Sequence, residues 1–191
     1  MSLYPLFYTL FLRVTENIPY KVLYSIGRIL AFCIYWMPNK HKRVSLENLY
    51  IVFPDHTNSE INCLLKESLF HSSMNLLEGG MVWGDKRYIQ NEGFVEVKNF
   101  EYIKNSMLEE RGVLLFTPHL GNIEILINYL GSELDITIPY TRPKNKYLDR
   151  VITNSRNDAG VKMVSTDSGG MRKILSALKS KKLVAIASDQ V

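Results

Sequence analysis

The sequence has few cysteines, no long uninterrupted apolar run and little excess of charge. Two cysteines among 191 residues, Cys33 and Cys63, form no Cys-x-x-Cys pair, which excludes a disulfide-rich scaffold and a cysteine-based zinc site. Paired and free thiols are both possible, but both positions fall in apolar helical segments. We therefore expect two buried free thiols in a reducing compartment. The net charge of +4 does not indicate a nucleic-acid-binding protein.

The remaining composition is that of a globular protein. Hydrophobic residues make up 46% and charged residues 22% of the chain, which excludes intrinsic disorder. A chain of this length hides about 70% of its unfolded surface on folding, enough for a sizeable core. We expect one domain with an attached helical segment.

Residues 1–37 are rich in aromatic side chains but contain no apolar run long enough to span a bilayer. A spanning helix needs about 20 nearly uncharged residues, and this segment is interrupted by Arg13, Glu16, Lys21 and Arg28. Its start also lacks the early basic region of a secretory signal peptide. We therefore predict a helical segment, residues 1–43, that lies on a membrane surface.

Basic residues close this segment. Lys40, His41, Lys42 and Arg43 follow Pro38, and such a cluster favours an anionic cytoplasmic leaflet. A helical hairpin packed on the core of the domain is the alternative explanation of the same pattern.

The rest of the chain, residues 44–191, alternates between strand and helix patterns. A helix over 59–78, ending at Gly79 and Gly80, precedes five predicted strands at 93–97, 113–117, 135–140, 161–165 and 183–188. The segments between them predict helices over 100–110, 122–130, 145–158 and 170–180. This alternation predicts an α/β domain with a largely parallel central sheet flanked by helices. Because a parallel strand ends the chain with no helix after it, we expect the native protein to continue beyond Val191.

Sites on parallel sheets lie at the carboxyl ends of the strands, which singles out the loops after Thr117, Tyr140 and Ser188. The first of these loops carries candidate chemistry. His119 lies at the strand end, Gly121 allows a tight turn, and Glu124 falls in the first turn of the next helix. A carboxylate that holds one imidazole nitrogen makes the other a general base. We predict that His119, oriented by Glu124, takes the proton from a hydroxyl that attacks an acyl thioester. Asn122 and the N–H groups at the helix start are candidate donors to the oxyanion.

The same loop also has a purely structural explanation. His119 would then be an ordinary loop histidine, and Glu124 would interact favourably with the dipole of its helix.

A basic segment follows the next predicted site loop. Arg142 and Arg156 are candidates to bind a phosphate or an oxyanion, because a guanidinium donates two parallel hydrogen bonds to such groups. The alternative is a solvated helix face balanced by Asp149 and Asp158.

Residues 117–124 (TPHLGNIE) resemble the His-x4-acidic motif of the bacterial lipid A biosynthesis acyltransferases, a branch of the lysophospholipid acyltransferase superfamily. Residues 43–54 resemble the family's Arg…Asn-Leu…Phe-Pro segment, residues 140–149 its Tyr-Arg-Pro…Leu-Asp segment, and residues 188–191 its Asp-Gln segment. These motifs follow the family's order over nearly the whole chain. Thr141 is an apparent extra residue in the second of these segments. Two further departures are Ile123, where the family often has an aromatic residue, and the lack of the family's segments beyond Val191.

The resemblance implies a glycerolipid-acyltransferase-like fold. It also implies that the N-terminal helical segment anchors the protein at the cytoplasmic face of the bacterial inner membrane. It implies acyl-carrier protein as the acyl donor and a phosphorylated lipid A precursor as the acceptor, with functional roles for Arg156 and Asp189. No metal or other cofactor is expected, because His41, His56 and His71 lack partners at ligand spacing. Two alternatives are a lysophospholipid or glycolipid acceptor, and a non-catalytic homologue that binds lipid at the membrane surface.

Overall fold

The computed structural model describes residues 4–84, 95–109 and 111–189. Its helices are α1 (Tyr4–Asn17), α2 (Tyr20–Trp36), α3 (Lys40–Val52), α4 (Asn58–Gly84), α5 (Phe100–Leu108), α6 (Ile123–Glu133), α7 (Lys146–Asp158) and α8 (Ser168–Lys179). Its strands are β1 (Val113–Thr117), β2 (Ile136–Pro139), β3 (Lys162–Val164) and β4 (Leu183–Ala187).

The four strands form a parallel sheet in the order β1-β4-β2-β3. β4 pairs with β1 over its whole length, with Thr117 opposite Ala187, and pairs with β2 on its other side. The predicted α/β class with a largely parallel sheet is therefore confirmed. Because β4 enters the sheet between β1 and β2, the carboxyl ends of the first and last strands are neighbours.

Helices cover both faces of the central strand β4, whose successive side chains point to opposite sides of the sheet. Leu183 and Ala185 belong to a buried cluster with Leu130 of α6. Val184 packs on the opposite face with Ile174 of α8. Burial of an aliphatic side chain of this size stabilises the fold by about 1.5–3 kcal/mol, so β4 anchors the sheet between its two helical layers.

α4 joins the N-terminal helices to the sheet, since it contacts α1, α2 and α3 as well as α6 and α7. The predicted end of this helix at Gly79 and Gly80 was wrong, because α4 continues to Gly84. A Cβ at Gly80 would lie 2.6 Å from Cε1 of Phe11 and 2.7 Å from Oγ1 of Thr15. The glycine therefore permits the close approach of α1 and does not break the helix.

The predicted strand at 93–97 is not formed by its described part. Residues 93 and 94 lie outside the described residues, and residues 95–97 form no strand. Val97 is exposed, and Glu96 pairs with Lys98 at the surface, with 3.0 Å between Oε1 and Nζ. Alternation of apolar and polar residues is a property of the local sequence, whereas a strand forms only where a neighbouring strand accepts its hydrogen bonds.

The two cysteines are free, as expected, but both are exposed, so the prediction that they are buried was wrong. Helical period explains the error for Cys33. The buried stripe of α2 runs through Leu23, Gly27 and Ala31. Cys33 lies two residues beyond Ala31, which at 3.6 residues per turn places it on the opposite side of the helix.

From Tyr4 onward the N-terminal segment is mainly helical, as predicted. No helix in the described part of the chain combines the length and apolar character needed to cross a membrane. Exposed apolar side chains on α1, α2 and the turn after α2 include Phe7, Leu10, Val22, Ile29, Phe32, Trp36 and Met37. Contact of this segment with a membrane surface stays a prediction, as does the domain division after residue 43, a position within α3.

Candidate active site

His119 is held by Asp189 through two hydrogen bonds. Asp189 Oδ1 lies 2.8 Å from Nδ1 of His119, and Asp189 Oδ2 accepts from the backbone N–H of His119 at 2.9 Å. The contact arises because His119 follows β1, Asp189 follows β4, and these strands are neighbours. A carboxylate that accepts from Nδ1–H leaves Nε2 as the unprotonated nitrogen of a neutral imidazole.

The electrostatics of this pair favour an ionised carboxylate. The backbone N–H of His119, and after it the imidazole ring, hold the pKa of Asp189 below its ordinary value. The side chains of both residues are more than a third exposed. His119 is therefore positioned by a charged partner and stays accessible to a substrate.

Glu124 and Arg156 form a second, buried pair. Arg156 donates from Nη2 to Oε1 of Glu124 at 2.6 Å and from Nε to Oε2 at 3.3 Å. Both side chains are about nine-tenths buried. This two-pronged pair joins the first turn of α6 to the last turn of α7 and keeps a guanidinium in the interior with its charge balanced.

His119 and Glu124 both lie in the described part of the chain, and the predicted hydrogen bond between them is not formed. The two residues have different partners, because β4 brings Asp189 to the imidazole while Arg156 takes up the carboxylate of Glu124. The sequence placed the histidine and both carboxylates in one site but not the contacts between them.

Asn122 shapes the turn that separates the two pairs. Gly121 has φ +67°, a left-handed conformation that favours glycine. The Asn122 side chain then caps α6, with Oδ1 accepting from the N–H of Glu124 at 3.1 Å and of Ile125 at 3.4 Å. Its Nδ2 points to α4, 3.4 Å from Oε2 of Glu78. Asn122 is thus an N-cap, and its predicted role as an oxyanion donor stays a prediction.

An apolar cavity of about 530 Å³ brings the two pairs together. Its polar lining includes His119, Arg156 and Tyr140. Its apolar lining comes from α6 and from strands β2 and β4, namely Ile123, Leu126, Ile127, Leu130, Ile138, Pro139, Ala185 and Ala187. The imidazole of His119 and the guanidinium of Arg156 therefore face one apolar space, which suits a substrate with a polar reacting group and a hydrocarbon chain.

Tyr140 connects this cavity to α7 and was not singled out by sequence reasoning as a site residue. The Cζ atom of Arg156 lies 5.1 Å from its ring centroid, and its hydroxyl donates to Oδ1 of Asp149 at 2.9 Å. Burial, and after it the hydrogen bond to Asp149, raise the pKa of Tyr140 to about 12. Its position directly after β2, at the carboxyl edge of the sheet, was the available signal.

Arg142 lies apart from the other predicted site residues. It is exposed and lines a neighbouring polar cavity of about 790 Å³ with Asp149, Thr153 and Asp167. Three residues line both cavities, namely Tyr140, Thr141 and Thr166. The apolar space beside His119 and the polar space beside Arg142 are therefore adjacent. In the part of the chain that the structure describes, no group of three or more His, Cys, Asp or Glu residues could hold a metal ion.

Comparison of the sequence with known proteins identifies a family. The family model of the bacterial lipid A biosynthesis acyltransferases matches residues 3–191. The lipid A biosynthesis palmitoleoyltransferase of Escherichia coli (strain K12) is 25% identical over 176 residues, which cover 91% of this chain and 56% of that protein. The lauroyltransferase of the same strain is 24% identical over 180 residues, covering 93% of this chain and 57% of that protein.

An acyltransferase of lipid A biosynthesis from Haemophilus influenzae is 24% identical over 176 residues, 90% of this chain and 54% of that protein. The chain thus spans a little over half the length of these relatives. Because the family model covers nearly the whole chain, the chain belongs to the bacterial lipid A biosynthesis acyltransferase family. The resemblance drawn from the sequence motifs is confirmed.

Proposed function

We propose that this protein transfers a fatty acyl chain from acyl-carrier protein to a hydroxyl of a phosphorylated lipid A precursor. The observation that carries the proposal is the position of His119, which is held by Asp189 at adjacent strand ends and lines an apolar cavity. Family membership supports the reaction class. The names of the relatives support the acceptor, since they are lipid A biosynthesis acyltransferases.

In the proposed step, Nε2 of His119 takes the proton of the acceptor hydroxyl as its oxygen attacks the thioester carbonyl. The new carbon–oxygen bond gives a tetrahedral oxyanion, and its collapse breaks the carbon–sulfur bond. The proton passes from the imidazolium to the departing thiolate of the carrier. Asp189 accepts from Nδ1–H throughout and stabilises the imidazolium, which is the orienting role that the sequence had assigned to Glu124.

Glu124 serves this mechanism through Arg156. A guanidinium has five N–H donors, and Glu124 engages two of its three nitrogens. The N–H donors that do not bind Glu124 are available to a substrate in the cavity that Arg156 lines. We assign to Arg156 the electrostatic stabilisation of the oxyanion, an interaction that is strong where water is excluded.

The two adjacent cavities fit the two parts of the reaction. The apolar cavity accommodates the acyl chain beside the thioester carbonyl. The polar cavity accommodates the sugar and phosphate groups of the acceptor, with Arg142 as the phosphate ligand. The shared residues Thr141 and Thr166 mark where an acceptor hydroxyl would pass towards His119.

The proposed location is the cytoplasmic face of the bacterial inner membrane. Acyl-carrier protein brings its thioester from the aqueous side, and the acceptor is a lipid. The exposed apolar side chains of α1 and α2, followed by the basic residues 40–43, supply a surface suited to an anionic leaflet.

The test is mass analysis of the lipid products formed by the full-length protein. One acyl-carrier-protein donor is offered in turn with a lipid A precursor and with a lysophospholipid. Acylation of the lipid A precursor is expected. Acylation of the lysophospholipid alone would contradict the assigned acceptor. Vesicle binding without transfer to either acceptor would favour a non-catalytic lipid-binding protein.

A further inference from the structure

A third cavity, of about 330 Å³, lies in a groove between α2 and α4. Its walls are mainly aromatic and its lining also contains three charged residues. The lining consists of Arg28, Ala31, Phe32, Tyr35, Trp36, Lys66, Glu67 and Phe70. None of these residues lines the cavity beside His119. The α2–α4 groove is therefore separate from the proposed acyl-transfer centre.

The charge of the groove is positive. The Cζ atom of Arg28 lies 5.0 Å from the ring centroid of Phe70, and the Nζ atom of Lys66 lies 5.1 Å from that of Tyr35. A third cation, Lys42, lies beside the groove but outside its lining, with Nζ 4.6 Å from the same Tyr35 centroid. Glu67 contributes a negative charge to the lining of the groove.

No carboxylate among the described residues forms an ion pair with Arg28, Lys42 or Lys66, although Lys42 donates to the backbone oxygen of Tyr35 and Arg28 to the hydroxyl of Tyr24. Two cations thus face a partly enclosed space with their charges unpaired. An anion is the ligand that such a space attracts.

The rim of the groove is apolar and faces solvent. Phe32 and Trp36 line it and are 65% and 69% exposed, and Ile29 on the same helix is 62% exposed. Large aromatic side chains at the surface, and tryptophan above all, favour the boundary between hydrocarbon and water. An exposed apolar patch beside a cationic pocket is complementary to a molecule with an anionic head and a hydrocarbon tail.

We propose that the α2–α4 groove binds one anionic phospholipid of the membrane surface. The phosphate lies between Arg28 and Lys66, and one acyl chain lies along Phe32 and Trp36. Charge decides between lipid classes, because a zwitterionic choline headgroup would bring its ammonium against these two cations. The cavity volume suits a headgroup with the first carbons of its chains, while the rest of the lipid stays in the bilayer. The site rests on the proposed membrane location and adds a specific lipid-binding position to it, and it uses no residue of the acyl-transfer centre.

The experiment is flotation of the full-length protein with phosphatidylcholine vesicles that do or do not contain phosphatidylglycerol. The double variant Arg28→Gln/Lys66→Gln is expected to bind the phosphatidylglycerol vesicles roughly 30-fold more weakly, since each cation near an anionic surface contributes about fivefold. Binding to phosphatidylcholine vesicles is expected to change little. The conservative variant Arg28→Lys/Lys66→Arg keeps both charges and is expected to retain the preference.

The matched control is Arg172→Gln/Lys179→Gln, which removes the same charges from the exposed surface of α8. An equal loss of binding in both double variants would show non-specific charge attraction and overturn the proposal. So would displacement of the protein from vesicles by inorganic phosphate at millimolar concentration, which would assign the groove to a soluble anion.

The apolar rim is tested by Phe32→Ser/Trp36→Ser, which is expected to weaken binding to both kinds of vesicle. Tyr102→Ser/Leu108→Ser changes equally exposed side chains on α5 and is expected to have no effect. Unchanged binding of the α2 variant would contradict the proposed path of the acyl chain. These readouts measure binding only, so they can fail while acyl transfer succeeds, and the reverse.

Discussion

Asp189 Oδ1 lies 2.8 Å from Nδ1 of His119, although 70 residues separate the two in the chain. The contact depends on β4, which enters the sheet beside β1 and ends next to it. The carboxylate that follows β4 therefore belongs to the same site as the histidine that follows β1.

Replacement of Asp189 by Asn is expected to lower the rate of acyl transfer by about 10²- to 10⁴-fold, because the imidazole loses the partner that fixes its tautomer. Nitrogen NMR of His119 is expected to show Nδ1 protonated and Nε2 free in the neutral wild-type ring, and a mixture of tautomers in the variant. Asp55→Asn, an exposed change on the loop before α4, is the control. A single unchanged tautomer in Asp189→Asn would contradict the orienting role.

Truncation of Glu124 is expected to destabilise the fold. Glu124→Ala leaves the buried guanidinium of Arg156 without its counter-charge, which lowers the free energy of unfolding by about 3–5 kcal/mol. The control is Glu47→Ala, which breaks an exposed pair with Arg43 and costs at most about 1 kcal/mol. Urea denaturation measures both. Equal costs would show that the Glu124–Arg156 pair stabilises no more than a surface pair.

Much of the site could be predicted from the sequence, because the carboxyl-edge rule needs only the strand positions. It pointed to the loops after Thr117, Tyr140 and Ser188, which hold His119, Arg142 and Asp189. The strand order could not be predicted in the same way, since local patterns do not say that β4 lies between β1 and β2. The partner of the imidazole follows from that order, so the sequence favoured Glu124, its near neighbour in the chain, over the distant Asp189.

The errors in the helical part have the same origin. Gly79 and Gly80 would weaken an isolated helix, but α4 continues through them, and α1 packs closely against Gly80. Cys33 lies in an apolar segment, but packing of the opposite side of α2 leaves it exposed. Tertiary contacts determine both the length of α4 and the exposure of Cys33, and such contacts cannot be predicted from local composition.

Asp135 predicts a pH dependence of stability. Hydrogen bonds from Lys162 at 2.7 Å and Lys182 at 2.8 Å hold the pKa of this carboxyl below its ordinary value of 3.8. A carboxyl whose pKa is lower in the folded than in the unfolded protein stabilises the fold at pH values above its unfolded pKa. This stabilisation is lost as the pH falls below 3.8 and through the pKa of the folded protein.

Thermal unfolding of the wild type and of Asp135→Asn is therefore expected to give a lower Tm for the variant at pH 7. The difference is expected to shrink steadily below about pH 4 as the wild-type carboxyl is protonated. A difference in Tm that stays constant from pH 7 to pH 2 would show that ionisation of Asp135 is not its cause.

Ile127 tests whether the apolar cavity holds the acyl chain. Ile127→Phe adds volume to the lining of the cavity, so longer donors are expected to lose more activity than shorter ones. Each methylene that is no longer buried costs about 0.8 kcal/mol, so a donor two carbons longer loses about 15-fold in relative kcat/KM. Leu175→Phe, at an exposed position of α8, is the control. An equal effect on all donor lengths would place the acyl chain elsewhere.

The most direct measurement of the central claim is the rate of acyl transfer from acyl-carrier protein to a lipid A precursor by full-length His119→Ala. The rate is expected to fall by about 10²- to 10⁴-fold, with an unchanged midpoint of thermal unfolding, because His119 lies at an exposed strand end. His71→Ala, at an exposed position of α4, is expected to keep the full rate. A His119→Ala protein that transfers acyl groups at the wild-type rate would contradict the account.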